Sequence, residues 1–435
     1  MAKKKQDLTP EERLAAALVP KEEWPYALPD EWKWVRLGKI YDVNPKVQAD
    51  DDLEASFVTM SDISPGIKSQ FDFIVRKWGE IKKGHTQFAN GDVAFAKISP
   101  CFENRKSMIL DGLKNGIGAG TTELIVLRNP SIDNKYTFLF ISSEEFIRHA
   151  RNTYKGVVGQ QRINLDFVKN YPMPLPPLSE QRRLVARIES LFAKLDAARE
   201  KVQSVLDSHE TRKAALLHDA FTGKLTARWQ EEHNLSYNEW HLVCIKDICH
   251  SLKYGTAKKS EASGRYVVIR MGNLFDGEIL WDNLAYSNDS EDIEKYQLTP
   301  GDVLFNRTNS AALVGKTSIY RGDYPAIYAG YIIKLDYDRQ AIDGEFLNYV
   351  MNSPCAKAYC NKVKTDGVNQ SNINAKKIGA FQFKLPSLPE QQEIVRILGR
   401  LLAREQRARQ AAEETLAAID RMKQSILARA FRGEL

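Results

Sequence analysis

Two kinds of hydrophobic spacing alternate along this chain. From Leu184, apolar residues recur at steps of four and three through Ile188, Leu191, Leu195, Ala198, Val202 and Val205. That is the seam of a coiled-coil helix. Pro176-Pro177 blocks an earlier start, Ser179 beside Glu180 is the N-cap candidate, and Gly223 supplies the stop. The seam returns as Ile394, Leu398 and Leu401, weakens at Glu405 and Ala408, and resumes through Leu416, Ile419 and Ile426 before Gly433. Helices of roughly 30–45 residues span about 45–65 Å at 1.5 Å per residue, which predicts long helices packed on each other as an antiparallel coiled coil. Ahead of each helix the spacing is different. Short β-branched and aromatic runs such as DVAF, ELIVL, RYVVIRM and YIIKL are bounded by Gly, Asn and Asp and read as strands. Helical stretches at Tyr136–Ala150 and Glu345–Asn361 interrupt them.

The fold class is therefore α+β: two similar β-rich α+β domains, each with a mainly antiparallel sheet, separated by the two long helices. The expected segments are an N-terminal extension at 1–30, domains at 31–177 and 239–387, and helix regions at 178–232 and 388–435. Within the extension, Thr9-Pro10-Glu11-Glu12 has the pattern of a helix start.

The two halves are copies. A shift of 210 residues lays Asn90-Gly91-Asp92-Val93-Ala94-Phe95 on Pro300-Gly301-Asp302-Val303-Leu304-Phe305, and Gln160-Gln161-Arg162-Ile163-Asn164 on Gln370-Ser371-Asn372-Ile373-Asn374. The same shift lays LPPLSEQRRLVARI from Leu175 on LPSLPEQQEIVRIL from Leu385, and Ala220–Leu225 on Ala430–Leu435. Near the start of each copy the shift is 208, pairing Glu31-Trp32 with Glu239-Trp240. Chance similarity does not hold one offset through four separate blocks, so the chain is an internal duplication.

Composition adds little to this picture. The 435 residues are 43% hydrophobic and 27% charged with a formal charge of +6, an ordinary globular balance too mildly basic to prove a polyanionic partner. Residues 31–175 hold 20 basic and 17 acidic side chains, and residues 239–385 hold 18 and 17. Charge alone thus marks neither domain as a strong DNA binder, and tight binding is expected only with partners that add phosphate contacts. Five cysteines form no C-x-x-C pair and no cluster with histidine, which argues against structural zinc and for reduced thiols. The opening MAKKKQDLTPEERLAAALVP lacks the apolar core of a signal peptide, and no run approaches ~18 apolar residues, so a cytoplasmic, non-membrane protein is expected.

A reaction centre is equally hard to find. The Pro-Pro at 176–177 lacks the polar and aromatic flanks of a base-gripping methyltransferase loop. Gly116-Ile117-Gly118-Ala119-Gly120 has no strand–turn–helix context and reads as a flexible loop. Ser310 to Gly315-Lys316-Thr317 nearly matches a phosphate-binding loop, but it lacks the first glycine and leads into a strand-like SIYRGDYP. The chain is expected to be non-catalytic, with no metal site.

Two β-rich domains alternating with two long helices, each helix begun by P-x-L-x-E-Q, resemble the specificity subunits of type I restriction-modification systems. The residues carrying the resemblance are Pro176, Leu178, Glu180 and Gln181, with Pro386, Leu388, Glu390 and Gln391, plus the A-F-x-G-(K/E)-L ends and the Gly-Asp-Val strands at Gly91 and Gly301. The polar interruption at Glu405–Ala408 departs from a continuous seam. The resemblance implies two target-recognition domains, each reading one half of a split, asymmetric site in double-stranded DNA. It implies helices that set the half-site spacing and dock two modification (adenine methyltransferase) subunits. It also implies restriction (translocase/nuclease) subunits, with S-adenosylmethionine, ATP and Mg held by these partners and no cofactor in this chain. The competing reading is a duplicated coiled-coil scaffold that binds protein only.

Candidate contacts follow from the aligned copies. Lys97 matches Arg307 and Lys106 matches Lys316, so a basic residue brackets the loop after each Gly-Asp-Val strand while the sequence between diverges. Constant cations with a variable middle suit phosphates that fix register and bases read between them. Ser99, Asn104 and Arg105 in the first copy, and Asn309 and Ser310 in the second, are the base-reading candidates. Gln160, Gln161, Arg162, Gln370 and Asn372 join them, whereas Asn164 and Asn374 are better helix N-caps. Leu184, Ile188, Leu191 and Leu195, with Ile394, Leu398 and Leu401, are the partner-docking candidates.

Overall fold

The computed structural model describes residues 9–157 and 159–435; the first eight residues of the expected extension lie outside it. Thr9 does start a helix, Pro10–Ala17, with a reciprocal capping box between Thr9 and Glu12. The chain forms two compact units, Met1–Val202 with Glu414–Leu435, and Gln203–Glu413. The helix regions are thus not separate bodies: each unit contains one β-rich domain and a stretch of both long helices.

In the first unit, strands Asp42–Val43, Leu124–Arg128, Val93–Ala96 and Ser107–Ile109 lie side by side in that order. In the second unit, Cys249–Tyr254, Ile332–Tyr337, Val303–Asn306 and Thr317–Ile319 repeat the order. A further sheet in each unit contains a parallel pair, Glu54–Val58 with Ile117–Gly120 and Tyr266–Ile269 with Ala326–Tyr328. The central strand alternates sides, as a strand must. Val93 and Phe95 join the core with the helices, while Ala94 joins a core of residues from both sheets. In the second copy Val303 and Phe305 face the helices and Leu304 faces away.

The repeated motifs have structural causes. Gly91 and Gly301 sit at φ +88° and +93°, the left-handed region a side chain disfavours. The aspartates that follow are buried and close the turn, accepting from the amides of Ala89 and Thr299 at 2.8 and 2.9 Å. Asp92 also holds Arg128 through two 2.7 Å bonds, which raises the guanidinium pKa, and Asp302 holds Lys334 and Arg339. In P-x-L-x-E-Q the glutamine is the fastener. Gln181 donates to the carbonyl of Pro176 and accepts from the amide of Asp133, itself the N-cap of Asn134–Ile141. Gln391 repeats this with Pro386 and with Asp343, the N-cap of Gly344–Asn352. The aromatic of A-F-x-G plugs a core: Phe431 meets Tyr136 and Phe140 edge-on at 5.4 and 5.2 Å, and Phe221 meets Phe346 at 5.6 Å. A Cβ on Gly433 would strike Pro29, and one on Gly223 would strike Tyr237.

Four expectations need correction. The first long helix begins at Leu178, so Ser179 lies inside its first turn; the carbonyl of Pro177 receives the amides of Glu180 and Gln181. The first long helix, read as continuous to Gly223, breaks at Ser208 between Leu178–Asp207 and His209–Phe221, whereas Leu388–Phe431 runs unbroken through the weak seam at Glu405. The two features are one: Arg212 donates to Glu405 at 2.8 Å and to the carbonyl of Val205 freed by the break. Gly116–Gly120 is not a loop. Ile117–Gly120 is an inner strand on which a Cβ at Gly118 would lie 2.4 Å from the Phe88 ring. Each expected single helix in the domains is two, because Ser143 caps Glu144–Arg151 and Ser353 caps Pro354–Val363.

Seam burial is graded. Leu184, Ile188, Ile394 and Leu398 are fully buried, whereas Leu191, Leu195 and Leu401 are half-exposed. The pairing is antiparallel within each unit: Asp196 meets Lys423 and Arg199 meets Asp420 in the first, while Leu217 and Leu398 share the core of the second. Among the described residues no helix is long and apolar enough to cross a membrane.

Removing the buried Gln391 amide strands the amide of Asp343 and the carbonyls of Pro386 and Ala341. Gln391→Ala should cost about 2–3 kcal/mol in urea unfolding, against within about 0.5 kcal/mol for the exposed Arg396→Ala.

Candidate nucleic-acid interface

The structure joins the two groups of candidates that the sequence kept 60 residues apart. In the first unit Ile98 bridges Arg162, the Ser99 amide donates to the Gln161 carbonyl, and the Ile163 amide donates to the Lys97 carbonyl. Arg162 also bridges back to Lys155, so the legs of a hairpin at Lys155 and Arg162 are laid against the loop. In the second unit Thr308–Asn309 pairs with Ser371–Asn372, which pairs with Thr365–Asp366, and the Ile373 amide donates to the Arg307 carbonyl. The two composites were built from divergent sequence onto one backbone plan.

Their side chains differ in availability. Lys97 carries no ion pair among the described residues. Lys106 is turned inward, its ammonium 2.6 Å from the carbonyl of Met60. Arg105, at φ +53°, is also turned inward, onto the Ser142 carbonyl and the Glu144 carboxylate. Its counterpart Gly315 takes φ +91°, so this position answers first to the turn before the next strand. Arg162 is clamped bidentately by Glu123, which raises its pKa. Ser99 donates to Glu103 at 3.1 Å. Asn104, Gln160 and Gln370 are exposed, and Gln161 is half-buried. On the second copy Arg307 lies 4.7 Å over the Tyr254 ring, Lys316 lies 5.5 Å from the Phe275 ring, and Asn372 donates to Thr308 at 2.7 Å. Asn309 accepts from the amide of exposed Ser310. Asn164 and Asn374 are N-caps, accepting from the amides of Asp166 and Lys377.

Lys364 and Lys377 escaped the sequence reading. Lys364 donates to the Ala311 carbonyl at 2.9 Å and ties the hairpin to the loop; Lys377 donates to Val363 and Thr365. Arg307, Lys316, Lys364 and Lys377 are therefore held by carbonyls, a hydroxyl and ring faces, with no carboxylate within ion-pair distance among the described residues. Such cations keep their full charge for an external anion. Neither lysine has a basic match 210 residues earlier, where Tyr154 and Phe167 stand, so comparison of the copies could not find them.

Reactive chemistry is not assembled here. Thr317 of the phosphate-loop near-miss is buried and begins a strand rather than a helix. Among the described residues no group of three His, Cys, Asp or Glu is placed to hold a metal. Burial, with Asp336 nearby, pushes the Cys249 thiol up to about 12, and burial alone pushes Cys360 to about 11. Thiolate is what reacts, so maleimide at pH 8 should label exposed Cys355 in the native chain and reach Cys249 and Cys360 only after denaturation, as peptide mass mapping can check.

A family model described as type I restriction modification DNA specificity domain matches residues 29–206 and again 237–414. The type I restriction enzyme EcoAI specificity subunit of Escherichia coli is 43% identical over 202 residues, 46% of this chain and 34% of that protein. The EcoEI specificity subunit of Escherichia coli is 39% identical over 218 residues, 48% of this chain and 37% of its own length. The match thus spans little more than a third of either relative. Two solved structures share the fold over most of the chain. A chain from work on complex assembly and conformational transition of the type I R-M system has a TM-score of 0.76 at 22% identity, covering 94% of this chain and 100% of its own. The HsdS subunit from Thermoanaerobacter tengcongensis has a TM-score of 0.63 at 21% identity, covering 95% and 100%.

Proposed function

Since this chain belongs to the type I restriction modification DNA specificity domain family, we propose that it is a non-catalytic subunit that selects the DNA sequence for an adenine methyltransferase complex. Each loop–hairpin composite contacts one half of an asymmetric, bipartite site in double-stranded DNA. The long helices act as spacer and dock two modification subunits, and restriction subunits join them in a cytoplasmic defence against phage. S-adenosylmethionine, ATP and Mg belong to those partners. The observation that carries the reading is the composite itself: two copies of one backbone plan with divergent side chains and, in the second copy, cations left unneutralised by carboxylates. A scaffold that bound only protein has no need to keep such charge free beside variable polar loops.

Salt-titrated binding of the assembled complex to matched and mismatched duplexes tests this. Lys316→Ala or Lys364→Ala should weaken all sequences alike and flatten the salt slope by about one charge. Gln370→Ala should instead cost about 1–3 kcal/mol on its own half-site only. Unchanged affinity and slope after substituting Lys97, Lys106, Arg307 and Lys316 would remove the loops from the DNA.

The half-exposed seam leucines speak for the docking role. Leu195→Glu should leave the chain folded but abolish co-purification with the methyltransferase subunits, whose expected number by native mass measurement is two. A chain that stays alone with its neighbour-encoded methyltransferase would refute the assembly.

A further inference from the structure

Val157 and Val368 are the two most exposed large hydrophobic side chains among the described residues, at 80% and 101% of full exposure. Both lie in the turn of the hairpin against the candidate reading loop, one position apart: Val157 matches Gly367, and the match of Val368, Val158, lies outside the described residues. Neither contributes to a core. A tip that faced only water would take a polar turn residue. Both valines stand next to glycine, Gly156 at φ +114° and Gly367, where a Cβ would come within 3.0 Å of the Gln370 carbonyl. Each therefore projects without a neighbouring side chain on that flank. Three residues after Val157 stands Gln160 and two after Val368 stands Gln370, both exposed, and in the second unit a strand ladder holds the hairpin to the loop. In the second unit Lys364 and Asn372 brace the hairpin from both legs, at 2.9 Å to Ala311 and 2.7 Å to Thr308. The tip is thus held out on a braced support beside cations that suit phosphate.

We propose that the hairpin tip of the second unit enters the major groove and reads a thymine by packing Val368 on the C5-methyl group. This rests on the DNA-reading function proposed above. The methyl is the apolar group that the major-groove base edges present, and a glutamine beside it is suited to the adenine edge of an A·T pair. A valine and a glutamine on one hairpin match both halves of such a pair.

The experiment replaces single thymines by deoxyuridine, which deletes the methyl and keeps the hydrogen-bonding edge. The target is first defined by the adenines that the assembled complex methylates, and binding of that complex to each substituted duplex is then measured. At one thymine of the half-site read by the second domain, uracil should weaken binding about 3- to 10-fold, the scale of one buried methyl. Val368→Ser should weaken the thymine duplex by a similar factor and erase the thymine–uracil difference there, leaving the other half-site and the melting temperature unchanged. Thymine–uracil discrimination that survives Val368→Ser, or is absent at every position of a specifically bound half-site, overturns the proposal and leaves DNA reading intact. Loss of subunit assembly in Val368→Ser also overturns it, and assigns the tip to protein. A complex with no sequence preference at all refutes the reading on which the proposal rests.

Discussion

The whole structure depends on one constraint: neither domain can close its core without a stretch of long helix from the other copy. The aromatic at the end of the second helix, Phe431, lies among Tyr136 and Phe140 of the first domain, and Leu427 is buried in the same cluster. The aromatic at the end of the first helix, Phe221, lies on Phe346 of the second domain with Leu217 buried beside it. Burying a phenylalanine contributes roughly 1.5–3 kcal/mol, with about 0.5–1.5 kcal/mol more for a well-set aromatic pair. That is a large part of the 5–15 kcal/mol by which a domain is usually stable. The glycines that end both helices follow from the same constraint, since any side chain at 223 or 433 would collide with Tyr237 or Pro29.

A division of labour between residues results. The repeated motifs are fasteners: Asp92 and Asp302 close turns, and Gln181 and Gln391 pin each helix start to a domain helix. All four are buried. The loops between 97 and 106, and between 307 and 316, are joined to the hairpins by backbone hydrogen bonds. Exposed side chains there, such as Asn104 and Ser310, can change without unmaking that backbone support, which is the property a reader of varied sequences requires.

Much of this was legible from spacing. The duplication, the helix seam, the strand patterns and the caps at Asn164 and Asn374 all rest on local rules that the structure obeys. What was not legible depends on partners distant in sequence. Arg105 looks like any loop arginine until Ser142 and Glu144 are brought against it. Gly118 looks like loop glycine until the Phe88 ring occupies the space of its missing side chain. The weak seam at Glu405 reads as an interruption of its own helix's packing, whereas it answers a break at Ser208 in the other. Lys364 and Lys377 were hidden for a different reason: they have no counterpart in the first copy, and the test of matching the halves passes over what only one half has.

The division of the chain into Met1–Val202 with Glu414–Leu435, and Gln203–Glu413, also sets an order of events during synthesis. The second unit is one uninterrupted stretch and can complete itself as soon as it leaves the ribosome. The first unit must wait for Leu427 and Phe431. At 5–20 residues per second, the intervening residues take roughly 10–40 s to be made. During that interval the face of the first domain around Tyr136, Phe140 and Ile188 stays uncovered, so the nascent chain carries its stickiest surface for longest on the domain that was translated first.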